Sequence, residues 1–197
     1  KQEAARYYKM SADQGNIVAM CNYGNMLNKG DGIETNKQEA ARYYKMSADG
    51  GDIEGMKNYG YMLEKGDGIE VNKQEAAHYY KMSADRGNTV AMCNYGYMLY
   101  KGDGIEVNKQ EAARYLKMSA DGGCTTAMFN YGIMLGIGDG IKTNKQEAAR
   151  YLKMSADRGY TDAMRIYVHM LRNGDGIEVN IAEADHYCSI LENQRNN

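Results

Sequence analysis

The string Lys-Gln-Glu-Ala-Ala begins at Lys1, Lys37, Lys73, Lys109 and Lys145, with no insertion or deletion between copies. A degenerate sixth copy begins at Ile181. A fixed period of this length means stacked supersecondary units, none of which can bury its apolar face alone. The spacing predicts an all-α chain of helix–turn–helix units: repeats 1–36, 37–72, 73–108, 109–144 and 145–180, closed by a capping helix over 181–197, all in one domain. Such an array presents surface rather than chemistry.

Residues 37–72 show why each unit folds as two helices. Asn36 precedes Lys37, and Glu39 follows three residues later. That spacing predicts a capping box, with the Asn side chain on a free amide and the Glu reaching back. Helix A then runs to about Asp49, with Ala40, Tyr43, Tyr44, Ser47 and Ala48 on one face and Gln38, Arg42, Lys45 and Asp49 on the other. Gly51 stops it, and Asp52 is placed to cap helix B, which runs to about Lys65. The buried stripe of helix B is Gly55, Met56, Tyr59, Met62 and Leu63. Gly60 recurs as Gly24, Gly96 and Gly132, and glycine inside a helix costs about 1 kcal/mol against alanine. Its repetition predicts close approach of a neighbouring helix. Val168 breaks that rule, so packing is expected to loosen or shift there. The loop from Gly66 to Asn72, pinned by Ile69, returns the chain to the next unit. Helix 181–192 keeps Ile181, Ala184, Tyr187, Cys188 and Leu191 on an inner stripe and then turns polar, as a cap should.

Proline and tryptophan are absent, and 18 Tyr and 15 Met supply the bulky apolar mass. No apolar run approaches the roughly 20 residues that span a bilayer. No signal-peptide pattern opens the chain. It starts directly on a helix, however, and so reads as a fragment. Cys21 and Cys93 hold one repeat position two units apart, at about 10 Å per stacked layer. That is beyond the roughly 7 Å Cα reach of a disulfide. With Cys124 and Cys188 at unrelated positions, the thiols read as reduced and the compartment as cytoplasmic.

With both helices, Gly51 and the Gly-Asp-Gly-Ile loop placed, the pattern resembles the Sel-1-like repeat family. Ala40, Tyr44, Ser47, Ala48 and Gly51 carry the likeness in helix A. Gly55, Tyr59, Gly60 and Leu63 carry it in helix B, and Gly66, Gly68 and Ile69 in the loop. Tetratricopeptide repeats fit less well, since they have a shorter period and no Gly-x-Gly loop. The resemblance implies a right-handed α/α superhelix with a concave groove. It also implies a scaffold role in assembling protein complexes. The Cys pair that some secreted bacterial members carry in each repeat is missing here.

Two faces are candidates for a protein or peptide partner. On helix A, Arg6, Arg42, His78, Arg114 and Arg150, with Lys45 and Lys81, form an evenly spaced polar ladder suited to an extended acidic ligand. Interleaved Asp residues weaken its field. Lys45 and Asp49 are spaced for an i,i+4 pair. On helix B, outward positions vary between copies. In the third and fourth copies they are mostly apolar: Cys93, Tyr97, Tyr100, Phe129, Ile133 and Ile137. Exposed together, these would mark an interface. Several of them can instead lean on the next repeat, Phe129 above all.

Other readings fail on spacing. The Gly-Asp-Gly loops follow a helix and lack the third glycine of a dinucleotide fingerprint. They also lack the alternating oxygens of an EF-hand. His186 and Cys188 are two residues apart on a helix and point away from each other. Each repeated Glu is explained by capping. No catalytic, metal or cofactor site is expected, and the chain reads as a non-enzyme. A net charge of −2 and a monotonous helix A argue against RNA and other nucleic-acid partners. Self-association through exposed repeat ends remains an expectation for any excised array.

Overall fold

The computed structural model describes residues 1–195. Asn196 and Asn197, the last residues of the expected cap, lie outside the described residues. Eleven helices and no strand occur among the described residues: α1 (Gln2–Asp13), α2 (Ile17–Lys29), α3 (Lys37–Asp49), α4 (Ile53–Lys65), α5 (Lys73–Ala84), α6 (Thr89–Lys101), α7 (Lys109–Asp121), α8 (Thr125–Ile137), α9 (Lys145–Ala156), α10 (Thr161–Asn173) and α11 (Ile181–Arg195). None is long and apolar enough to cross a membrane. They group into two compact units, Lys1–Val107 and Asn108–Asn197.

Within each unit consecutive helices pack on one another. The helix ends follow from local chemistry. Asn36 Oδ1 accepts from the Glu39 amide at 3.0 Å, and Asp52 Oδ2 accepts from the Gly55 amide at 2.7 Å. The Glu39 carboxylate, however, meets the Asn36 side-chain amide at 3.4 Å rather than its main-chain N–H. That N–H is already committed to the Leu27 carbonyl at 2.9 Å. The cap thereby also pins the return loop to the preceding helix. In α8 and α10 the caps are Cys124 and Tyr160, and neither side chain makes a capping bond.

The loop glycines have geometric reasons. Gly66 ends α4 in the left-handed conformation at φ 69°, and Gly68 sits at φ 78°. A Cβ on Gly68 would fall 2.5 Å from the Lys37 carbonyl carbon, so the loop lies flat against the start of α3. Lys37 Nζ reaches Asp67 Oδ1 at 2.7 Å, and the same pair recurs as Lys73–Asp103 and Lys145–Asp175.

The apolar stripes are buried as the periodicity requires. Ala40, Tyr43, Tyr44, Ser47 and Ala48 are buried on α3, and Gly55, Met56, Tyr59, Met62 and Leu63 on α4. Gly60 does receive a neighbour: a Cβ there would lie 3.0 Å from Tyr80 Cδ1 and 3.3 Å from the Ala76 carbonyl oxygen. At the corresponding place in the second unit Val168 is buried and Cys188 packs against the same core. The larger valine is thus met by cysteine where Tyr44, Tyr80 or Leu152 stands in other copies. Cysteine removes part of the excess volume, and the packing shifts as expected: the Tyr167 and Tyr187 ring centroids stand 5.5 Å apart, against 4.9 Å for Tyr59–Tyr79 and Tyr131–Tyr151. Ile181 is a correction to the inner stripe of α11: it is 51% exposed. It occupies the helix-starting position held by lysine elsewhere, one turn before the buried face begins.

Candidate functional site

The candidate cations of the A helices lie at the surface, but several are already occupied. Arg42 approaches Glu39 at 4.0 Å and lies 5.1 Å from the Tyr43 ring centroid. In the second unit Arg114 does the same with Glu111 at 3.5 Å and Tyr115 at 4.5 Å. Arg150 repeats it with Glu147 at 3.7 Å and Tyr151 at 4.4 Å. His78 is exposed and lies edge-on to Tyr79. Arg6 is exposed on α1.

The lysines belong to a network that ties one A helix to the next. Lys45 Nζ meets Asp49 at 2.8 Å, and Asp49 accepts from the Tyr79 hydroxyl at 2.9 Å. Tyr79 packs edge-on to Tyr59 at 4.9 Å, and Lys45 lies 5.8 Å over the Tyr59 ring. Lys81 pairs with Asp85 at 2.6 Å. The second unit repeats the motif, with Lys117 on Asp121 at 2.6 Å and Tyr151 on Asp121 at 2.6 Å. The hydrogen bond from Lys45, aided by that from Tyr79, holds the Asp49 carboxyl below its ordinary value of 3.8 against the opposing effect of burial. Burial first, then the Asp49 carboxylate, raises the Tyr79 phenol. Chemically this ladder is a self-neutralised seam whose charges serve stacking.

A stacking residue that periodicity alone treats as merely small is Ser47. Its hydroxyl is fully buried and donates to the Ile17 carbonyl at 2.8 Å. Ser83 does the same to Ile53 at 2.9 Å, and Ser155 to Thr125 at 3.0 Å. The available signal was a polar residue recurring unchanged inside an apolar face.

The candidate apolar patch divides. Cys93, Tyr97 and Tyr100 belong to the first unit, Phe129 and Ile133 to the second. Tyr97 is 46% exposed, and Tyr100 is half-buried. The Lys101 ammonium lies 5.7 Å and 5.3 Å from these two ring centroids. Cys93 is a correction to the exposed set, being buried at 5%. The equivalent Cys21 is buried against α4, where Asn58 Nδ2 approaches its sulfur at 3.6 Å. Burial pushes the Cys21 thiol up to about 12, so it is held as the neutral thiol. Phe129 is half-buried against Tyr160, with ring centroids 4.9 Å apart. Ile133 is half-buried on α8. Among the described residues no cluster of three or more His, Cys, Asp or Glu is placed to hold a metal ion.

The family model described as Sel1 repeat matches residues 1–16, 17–52, 53–88, 89–124, 125–160 and 163–188. Its units start on a B helix and close on the following A helix, half a unit out of phase with the Lys-Gln-Glu-Ala-Ala string. Among solved structures the chain is similar to a protective antigen of uropathogenic Escherichia coli strains displaying an SLR fold. The identity is 24% over 98% of this chain and 41% of that one, at a TM-score of 0.91. The chain therefore spans less than half the length of that antigen. It is similar also to a Sel1 repeat protein from Oxalobacter formigenes, with 26% identity over 97% of this chain and 81% of that one, at 0.85. An immunity protein from Pseudomonas aeruginosa gives 17% identity over 98% and 73%, at 0.61. No curated protein matches the sequence.

Proposed function

The chain belongs to the Sel1 repeat family, and on that premise we propose that it is a protein-interaction scaffold, without catalytic activity, that binds its partner through outward positions of the B helices. The observation that carries this reading is a division of labour. Positions that stack are nearly constant from copy to copy, while outward B-helix positions change: Asn25, Tyr61, Tyr97, Ile133 and His169 occupy one such place, half-buried at Asn25 and Ile133 and exposed at Tyr61, Tyr97 and His169. The A-helix cations are the weaker candidates. Lys45, Lys81, Arg42, Arg114 and Arg150 already face carboxylates.

The reading is tested by affinity capture with the intact chain and with a Tyr97→Lys, Tyr100→Lys, Ile133→Lys triple variant. The partner is then purified and recombined. The expected result is a stoichiometric complex that persists in moderate salt and is lost in the triple variant. Capture of the same partner by both forms would reject this face. Loss of all binding above moderate salt would favour a nucleic acid instead.

A further inference from the structure

A capping glutamate opens each A helix that follows a B helix, and among the described residues all but Glu75 hold a cation: Glu39, Glu111, Glu147 and Glu183. On the first three the cation is Arg42, Arg114 or Arg150, whose guanidinium also lies over the next tyrosine ring. His78 and His186 stand at the arginine place in the other two copies. Each imidazole lies edge-on to its following tyrosine, with centroids 5.6 Å apart.

At Glu183 a lysine takes over from the missing arginine. Lys153 reaches across from α9, and its ammonium donates to Glu183 Oε1 at 2.6 Å and to the Tyr187 hydroxyl at 3.2 Å. It lies 5.4 Å from both the Tyr167 and the Tyr187 ring centroids. The Tyr167 hydroxyl donates to the same Glu183 oxygen at 3.3 Å. One carboxylate and two aromatic rings thus form a cage for one ammonium.

The third copy has the same cage but directs none of its own cations onto the glutamate. Tyr59, Glu75 and Tyr79 stand where Tyr167, Glu183 and Tyr187 stand. Lys45, the counterpart of Lys153, lies 5.8 Å over the Tyr59 ring but is held on Asp49 at 2.8 Å, whereas Lys153 is 3.9 Å from Asp157. The Glu75 side chain meets Asn72 Nδ2 at 3.0 Å. An open pocket of about 410 Å³ lies here between α4, the return loop and α5. Tyr59, Leu63, Ile69 and Val71 form its apolar part, and Glu70 and Glu75 its charged part. No lysine, arginine or histidine is among the described residues that line it. The same six residue types recur at Tyr167, Leu171, Ile177, Val179, Glu178 and Glu183, around the Lys153 cage.

We propose that this pocket binds the ammonium of a lysine side chain presented by a partner. The occupant follows from the Glu183 cage, where a lysine of this same chain meets residues of the same types. The guest ammonium donates to Glu75 beside the two rings, and its methylene stem covers Val71, which is 51% exposed. Glu70 adds negative field at the rim. The site is separate from the outward B-helix positions, so its failure leaves that reading standing.

The test is an NMR titration of the full chain with Nα-acetyl-lysine methylamide, followed at the Tyr59 and Tyr79 ring signals. Half-saturation is expected on the order of 1 mM, as suits a small ligand with one charged head. His78→Arg supplies the guanidinium that Arg42 supplies elsewhere. Glu75→Gln removes the charge and keeps a side chain that can cap. Each variant is expected to weaken binding roughly tenfold or more and to melt close to the wild type. A probe acetylated at Nε, and so uncharged, is expected not to bind. A wild type without saturable shifts overturns the proposal. So does binding that persists in either variant or with the neutral probe. Tighter binding of putrescine than of the lysine probe overturns it too, by assigning the pocket to a free diamine.

Discussion

The Ser47 hydroxyl donates to the Ile17 main-chain oxygen, thirty residues back, at 2.8 Å. This joins α3 to the first residue of α2, and Ser83 and Ser155 repeat the join elsewhere. Ser83→Ala removes this hydrogen bond to the Ile53 carbonyl, and such a loss costs about 0.5–1.5 kcal/mol. The urea midpoint is expected to fall with the slope unchanged. An exposed control such as Gln74→Ala should not move it.

Gly60 and Gly136 make opposite predictions. Alanine gains about 1 kcal/mol over glycine in a free helix. At Gly60 the added Cβ would lie 3.0 Å from Tyr80 Cδ1, so Gly60→Ala forces the α4–α5 contact apart and lowers the melting temperature. At Gly136 the nearest atom is 3.7 Å away, so Gly136→Ala keeps the propensity gain and raises it. Thermal melts of the two variants decide this. Equal effects would contradict the packing argument.

The fold was readable because periodicity, caps and glycines agree. Asn36, Asp52 and Gly66 each mark a boundary by a local rule that needs no tertiary knowledge. What could not be read were relations between units of the array. Asp49 sits on the polar side of its helical wheel, and nothing local says that its partner is Tyr79, thirty residues on. Cys21 looks outward on the wheel of α2, yet Asn58 of α4 covers it. The candidate apolar patch was legible only as variation between copies. Which of its members are exposed depends on side-chain size in the neighbouring layer.

Val168 and Cys188 illustrate that dependence and predict a coupling. Val168→Gly empties volume and adds glycine to a helix, and Cys188→Leu overpacks the core, an error that costs roughly 1–3 kcal/mol. Together they recreate the Gly132–Leu152 pairing already present in this chain. The double variant is therefore expected to be more stable than the sum of the single losses. A double-mutant cycle from denaturant melts measures this, and strict additivity would sink the idea.

Acid should loosen the A-helix seam. The Asp49 and Asp121 carboxyls are held below the ordinary 3.8 by their lysine and tyrosine partners. A group whose folded pKa is depressed contributes stability above its unfolded pKa, and that contribution fades as pH falls through the folded one. The melting temperature of the wild type is thus expected to be level near neutrality and to fall below about pH 4. In Asp49→Asn the neutral melting temperature is lower and the acid slope shallower, because one of the titrating contributions is gone. Both carboxylates are about half exposed, so the effect is modest and shrinks with added salt. Melts at neutral and acid pH, with and without salt, check it, and identical slopes for the two proteins would assign the acid transition to other groups.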